Sequence, residues 1–360
     1  MIYKQKHIFW AKLISSIISP YYKFYNLFRK KYSIQKIDIK TILITEYHRI
    51  GDLIIIAPIL KLIKETFPDA HIILICNKAS ENLVKHLKLA DTVFGVKVPW
   101  TNWEWSIYKW WKTRSFAKSL RAFDVDIGID FKGDIRNSWF LWQTNPKISF
   151  GYSATGGEFF FTNPKLINQD LHQYSRAMEL IKNLGLVKLK KEKKIVQHKK
   201  KRAIIFHPGA SQVERTWPDE HWVKLAKLMS VENKITIVKF GNSNSLIKKL
   251  KKTDLNIDFF EGDLISLFEW LKCQRYLIAP DSMAGHLASY VGIPVLSLFG
   301  SQDPSLVKPT NILGEVVVPD KECHHSKKHW RLCSRCMSSI TPQKVFSIFT
   351  NHITSIERIL

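Results

Sequence analysis

The sequence predicts an α/β protein of two Rossmann-like domains in tandem, and three observations predict it. From Thr41 onward, short apolar runs alternate with stretches of helical spacing, the pattern of parallel strands joined by crossover helices. Residues 188–202 (KLKKEKKIVQHKKKR) interrupt that pattern with a lysine-rich block that reads as a solvated linker. A second strand–helix series then starts at Ala203. At 360 residues the chain can hold two cores, since single cores rarely grow past ~250–300 residues.

In the first series, residues 41–45 (TILIT) form a buried strand and 53–67 a helix entered through Arg49-Ile50-Gly51-Asp52. A strand over 71–76, a helix over 80–89 and a strand over 92–98 follow. An aromatic stretch with Trp100, Trp103, Trp105, Trp110 and Trp111 leads into a helix ending near Leu120. Residues 125–130 make the next strand, which runs into Phe131-Lys132-Gly133-Asp134. The second series has strands AIIFH, ITIVKF, IDFF, YLIA and VLSLF, with helices over 219–230, 264–272 and 283–291. The expected divisions are an extension over 1–40, a first domain over 41–190, a second over 200–345 and a C-terminal helix over 346–360. Two such domains facing one another place ligands in the cleft between them.

The balance of 55 Lys+Arg against 31 Asp+Glu gives a net charge of +24, which implies a polyanionic partner. Nucleic acid, an anionic membrane face and a phosphorylated substrate all qualify, but no nucleic-acid-binding motif is present. Five cysteines make no disulfide framework, so a reducing cytoplasm is expected. No apolar run reaches the ~18–20 residues needed to cross a bilayer.

The first 36 residues carry Lys4, Lys6, Lys12, Lys23, Arg29, Lys30, Lys31 and Lys36 and no acid. Trp10, Leu13, Ile14, Ile17, Tyr21, Phe24 and Phe28 fall between them close to helical spacing. Such a basic amphipathic segment reads as a helix lying on an anionic membrane surface, peripheral to the inner face of the cytoplasmic membrane. The plainer reading is a helix packed on the domain. Lys12 and Pro20 interrupt the apolar stretch, which disfavours a signal peptide.

Three polar loops follow strand ends, where open parallel sheets bind ligands. The first holds Asp52, either a helix cap or a carboxylate that takes a proton from an attacking hydroxyl. The second runs from His207-Pro208-Gly209-Ala210-Ser211 to Glu214-Arg215-Thr216-Trp217-Pro218, with Arg215 as a fork for a diphosphate. The acids that open the helix after Trp217-Pro218 are structural. The third is Pro280-Asp281-Ser282 at the start of a helix that carries Met283 and His286, followed by a polar loop, Ser301-Gln302-Asp303-Pro304. A helix N-terminus attracts anions, so a nucleotide diphosphate suits this turn; the alternative is that Asp281 and Ser282 only cap the helix.

Five motifs, in order, resemble those of the bacterial heptosyltransferases, the family-9 glycosyltransferases. They are RIGDLIIIAPIL, DVDIGIDFKGDIRNS, HPGAS…ERTWPDEHW, PDSMAGHLASYVGIPVLSLFGSQDP and CSRCMSSITPQKV. The resemblance begins near Thr41 and extends almost to the C-terminus. It implies a GT-B fold whose second domain holds a nucleotide-sugar donor, and an inverting transferase that adds a sugar, heptose from ADP-heptose, to a lipopolysaccharide core acceptor. It also implies that Asp52 is the base and that Arg215 contacts the donor phosphate. Ala210, Ser211, Asp281, Ser282, Met283 and His286 then surround the diphosphate and ribose.

Two positions depart from the family pattern. Met283 stands where a Gly follows the Asp-Ser pair, and Ser245 stands where an acid near the donor ribose is expected. They leave room for another nucleotide sugar, in outer-core or capsule synthesis. Lys132, Arg136 and the tryptophans lie where the acceptor is expected, although a Trp there is more often core.

The donor is a substrate, so no cofactor is expected. No Asp-x-Asp motif closes a strand of the second domain, so no essential metal is expected either. Cys323, His324, His325, His329, Cys333 and Cys336 have the residue types of a zinc site, but only Cys333 and Cys336 form a regular pair. The rival of a different class is a non-catalytic basic protein that binds membrane or nucleic acid.

Overall fold

Parallel strands cannot be joined by tight turns, so each strand of this chain is followed by a crossover that returns to the same edge direction. A computed structural model describes residues 5–101, 106–182, 203–241, 243–321 and 333–359. The chain divides into two units, residues 1–189 and 190–360.

The first unit opens with helix α1 (Gln5–Leu27) and continues through β1 (Thr41–Glu46), α2 (Ile50–Thr66), β2 (His71–Asn77), α3 (Glu81–His86) and β3 (Thr92–Val96). It goes on with α4 (Ile107–Ser119), β4 (Ile127–Asp130), α5 (Ile135–Gln143), β5 (Ile148–Tyr152), β6 (Asn163–Lys165) and α6 (Gln173–Lys182). Its sheet has the order β3-β2-β1-β4-β5-β6, parallel throughout, with Ile42 of β1 opposite both Ile72 and Ile127. Pro164 lies in β6, at the edge, where a missing N–H costs no ladder bond.

The second unit contains β7 (Ile204–Phe206), α7 (Asp219–Met229), β8 (Ile235–Val238), α8 (Asn244–Leu250), β9 (Ile257–Phe260) and α9 (Leu264–Leu271). After these come β10 (Tyr276–Pro280), α10 (Met283–Val291), β11 (Val295–Leu298), α11 (Pro304–Val307), β12 (Gly314–Val317), α12 (Ser334–Ser339) and α13 (Pro342–Ile359). Its sheet, β12-β11-β10-β7-β8-β9, repeats the connectivity of the first. In each sheet the strand order reverses once, between β1 and β4 and again between β7 and β10. A doubly wound sheet binds ligands beyond the strand C-termini at that reversal, so one ligand position is expected in each unit.

Several expected elements shift. Helix α2 starts at Ile50, three residues early, because Gly51 and Asp52 in its first turn interrupt the apolar run and read as a turn. The C-terminal helix starts at Pro342 rather than 346 and joins the second core through Val345, Phe349 and Ile356. The lysine block at 188–202, together with Lys4, Trp103, Trp105, Cys323, His324, His325 and His329, lies outside the described residues.

Helix α1 packs on the first unit along one stripe. Ala11 sits in a cluster with Ile135, Trp142, Phe159 and Phe160, with Ile8, Ile18 and Tyr22 against it. The Tyr22 ring lies 4.7 Å from Phe160 and 5.0 Å from Trp142, both edge-on.

Candidate active site

Strand β1 ends in the buried Glu46, and Arg49, in extended conformation (φ −95°, ψ 157°), turns the chain into α2. Gly51 lies inside the first helical turn without a positive φ. Asp52 occupies the same turn, and its Oδ2 accepts the Arg49 backbone N–H at 3.2 Å. The capping reading is therefore correct for one oxygen. The other, Oδ1, receives Lys132 Nζ at 2.9 Å. Lys132 Nζ is also 3.5 Å from Glu46 Oε2, while His48 Nδ1 lies 3.4 Å from Glu46 Oε1.

Lys132 reaches this position because of the turn after β4. The fully buried Asp130 accepts backbone N–H groups from Gly133 at 3.2 Å and Lys132 at 3.4 Å. Gly133 has φ +70°, and a Cβ there would meet the Tyr152 carbonyl at 2.9 Å, so only glycine fits. The turn delivers a lysine from the far side of the β1–β4 reversal to the carboxylate beside β1.

These charges set the protonation states. Burial raises the Asp52 carboxyl, but Lys132, His48 and the Arg49 N–H together outweigh it and hold Asp52 well below the usual carboxylate range. Burial lowers Lys132, and the carboxylates of Asp52 and Glu46 more than reverse that. Burial holds His48 below its ordinary value despite Glu46. Asp52 is therefore ionised at neutral pH, as a proton acceptor must be.

Asp130 behaves oppositely: burial pushes it up to about 7. Its folded pKa exceeds its unfolded one, so the native state binds more protons between pH ~4 and ~7 and loses stability as pH rises through that window. Asp130→Asn is expected to flatten the fall, which is worth up to ~4 kcal/mol at one pKa unit per 1.36 kcal/mol. Denaturant midpoints measured from pH 5 to 8 check this.

Two expectations about the acceptor change here. Lys132 is engaged by Asp52 and Glu46, and Arg136 grips Asp134 through two bonds of 2.9 and 2.7 Å. That pair anchors the start of α5, where the Asp134 side chain also accepts the Arg136 N–H. Trp100 and Trp110 belong to the core, with Trp100 Nε1 donating to Asn137 Oδ1 at 2.9 Å. Trp111 is exposed.

In the second unit, the loop after β7 carries buried His207, half-buried Ala210 and exposed Ser211. Burial lowers His207 to about 4, so the ring is neutral at pH 7. A Cβ on Gly209 would come within 2.3 Å of the Phe240 ring, which is 45% exposed and covers the loop. Motif reading missed Phe240, an aromatic face that could stack on a nucleobase.

Farther along the loop, Arg215 Nη1 meets Asp281 Oδ2 at 3.0 Å, with both side chains largely buried. The pair joins the ends of β7 and β10, on either side of the second reversal. Trp217 is structural: its Nε1 donates to the Ile340 carbonyl at 2.9 Å.

Ser282 precedes the first residue of α10 yet makes no side-chain cap bond. Among the described residues, its shielded Oγ has no hydrogen-bond partner. Asp281 answers Arg215, so helix capping explains neither side chain. Met283 is the first residue of α10, and His286 is buried one turn in. The N-terminus of α10, with its unpaired backbone donors, points the positive end of a dipole out of the sheet. By contrast, Asp303 in the later polar loop is an ordinary cap that accepts Ser305 N–H at 2.9 Å.

Residues 113–334 match the model of glycosyltransferase family 9 (heptosyltransferase). The chain belongs to this family. A stretch of 222 residues is 21% identical to lipopolysaccharide heptosyltransferase 1 of Pseudomonas aeruginosa, covering 57% of this chain and 62% of that protein. The chain thus spans less than two thirds of that curated relative.

Among solved structures, E. coli heptosyltransferase WaaC with ADP superposes with a TM-score of 0.70 at 15% identity, over 87% of this chain and 99% of that one. WaaC with ADP-2-deoxy-2-fluoro heptose gives 0.70 at 16%, over 86% and 99%. A family-9 glycosyltransferase from Veillonella parvula gives 0.71 at 17%, over 88% and 98%. At these identities the likeness establishes the fold, two Rossmann-like domains of the GT-B kind.

The two departures from the family-9 pattern have clear positions. Met283 is half-buried at the start of α10, and Ser245 is exposed in the first turn of α8. Among the described residues, no three His, Cys, Asp or Glu side chains are grouped to hold a metal ion. Cys333 precedes α12, and Cys336 is buried within it.

Proposed function

We propose that the protein transfers a heptose, with inversion, from ADP-heptose to a lipopolysaccharide core acceptor. The observation that carries this reading is the Arg215–Asp281 pair beside the N-terminus of α10, in a family-9 chain whose neighbour WaaC binds ADP and an ADP-linked fluoro-heptose. Arg215, Ser282 and the α10 backbone donors suit a diphosphate, and Ala210, Ser211 and His286 complete that loop cluster.

Asp52 takes the acceptor proton in this reading. Its depressed pKa makes it a weak base, which suits the chemistry. A hydroxyl that attacks an oxocarbenium-like carbon becomes strongly acidic as the C–O bond forms, so the proton moves late and a weak, fully ionised carboxylate suffices. As the nucleotide leaves, charge grows on the diphosphate, where Arg215 and α10 act. The acceptor hydroxyl oxygen bonds to the anomeric carbon, the sugar–phosphate bond breaks, the nucleoside diphosphate departs and Asp52 holds the proton.

The test is release of nucleoside diphosphate from ADP-heptose, UDP-hexoses and GDP-hexoses with a truncated lipopolysaccharide acceptor. Acceptor-dependent ADP release from ADP-heptose alone is the expected result. Turnover with only a UDP or GDP sugar would overturn the heptose assignment and implicate Ser245 and Met283 in a different donor preference.

A further inference from the structure

We infer that α1 is a rigid docking element that lays the first unit on an anionic lipid bilayer. At about 100° per residue, Ala11, Ser15, Ser19, Tyr22 and Asn26 fall on one side of α1. This is the side the unit covers, since Ala11, Ser15 and Ser19 are buried. Polar bonds lock it: Ser15 Oγ accepts Gly157 N–H at 2.9 Å. Asn26 donates to the Phe159 carbonyl at 2.6 Å and accepts Trp142 Nε1–H at 3.2 Å.

The opposite side carries the apolar stripe. Trp10, Leu13, Ile14, Ile17, Tyr21 and Phe24 lie there and are 39–69% exposed. A continuous apolar stripe of this size does not persist in water without a purpose. A helix with one glued stripe and a second apolar stripe facing outward is not explained by packing on its own domain.

Charge decides the occupant. Lys12 and Lys23 project, exposed, from the flank between the two stripes, and Lys30 and Lys31 follow the helix. The first 36 residues contain no acid. Apolar and aromatic side chains flanked by lysine stems fit the acyl–headgroup boundary of a bilayer with anionic lipid, the lysines reaching up to phosphate. Among the described residues no helix is long and apolar enough to cross a membrane, so α1 lies on the surface rather than through it. Because α1 is clamped to the unit, it orients the unit instead of tethering it.

The experiment is co-sedimentation of the full chain with phosphatidylglycerol/phosphatidylethanolamine vesicles or with phosphatidylcholine vesicles, across salt. Wild type should bind the anionic vesicles and bind phosphatidylcholine at least tenfold more weakly. The triple variant W10S/I17S/F24S, at three exposed sites whose ring contacts are with the exposed Phe9 and Phe28, should lose binding at least tenfold while keeping its melting temperature. K12Q/K23Q should lose the preference for anionic lipid and its salt dependence. Failure of wild type to bind, or equal binding by the triple variant, would overturn the inference. So would a wild-type dimer in sedimentation that the triple variant dissociates without any vesicle binding, since the stripe would then be covered by a second copy. No arm depends on turnover, so a wrong donor assignment leaves the result readable.

Discussion

Asp52→Asn is expected to lower kcat by roughly 100- to 10,000-fold with little change in donor KM, the loss typical of a removed general base. The amide keeps the size of the side chain and can still accept either Lys132 or the Arg49 N–H, so the fold should survive. Steady-state kinetics beside a thermal melt check this, and unchanged turnover would remove Asp52 from the chemistry. Lys132→Met supplies the companion test. Lys132 is the largest influence holding Asp52 down, and burial pushes the other way. Removing it should move the acid limb of the pH–rate profile upward. Protonated Asp52 cannot accept a proton, so the variant should lose far more activity at pH 6 than at pH 8, where wild type is flat on that limb. A merely structural lysine would scale the whole profile without shifting it.

Much of the frame was legible because buried parallel strands read as continuous apolar runs. Strands β1, β2, β10 and β11 announce themselves that way. Strand β5 (ISFGY) does not, since Ser149 and Gly151 break the run, and β6 is three residues with a proline in the middle. The site was legible to the same depth. Asp281 and Ser282 stand directly after an apolar strand, and Asp52 and Arg215 lie in the segments that follow β1 and β7, where polar residues have few structural reasons to gather. The partners of Asp52 were hidden: Glu46 is the last residue of β1 and looks like part of a strand, and Lys132 arrives from β4. Only the sheet order places β1 beside β4, and no local pattern encodes that adjacency. Phe240 was hidden for the same reason, because its loop follows β8, the neighbour of β7.

The N-terminal segment shows a different limit. Periodicity identified a helix with an apolar stripe, and two readings of that stripe competed: one facing lipid, the other packed on the domain. The packed contact is present, and the exposed apolar stripe lies on the opposite side of α1. The packed side is built from Ala11, Ser15, Ser19 and Asn26, small and polar residues that no hydrophobicity pattern marks as an interface. Close approach and specific hydrogen bonds hold this helix in place together with the apolar packing of Ile8, Ile18 and Tyr22.

Arg215→Ala carries the second large effect, a fall in kcat/KM for the donor of roughly 100- to 1,000-fold, the usual cost of losing one preorganised donor to a developing anion. The substitution also takes the Arg215 charge away from Asp281, which is 7% exposed, and breaking a buried pair from one side costs ~3 kcal/mol or more. Stability and catalysis would then fall together, and a low rate alone would not separate a structural arginine from a functional one. The double variant R215A/D281A separates them. Removing both charges should restore most of the lost stability, because the buried carboxylate goes with its arginine, yet turnover should remain at the single-variant level. Arg215→Lys should lie between, since it keeps the charge but not the planar fork. Recovery of both stability and rate in the double variant would make the pair a structural strut and move diphosphate recognition to the α10 N-terminus alone.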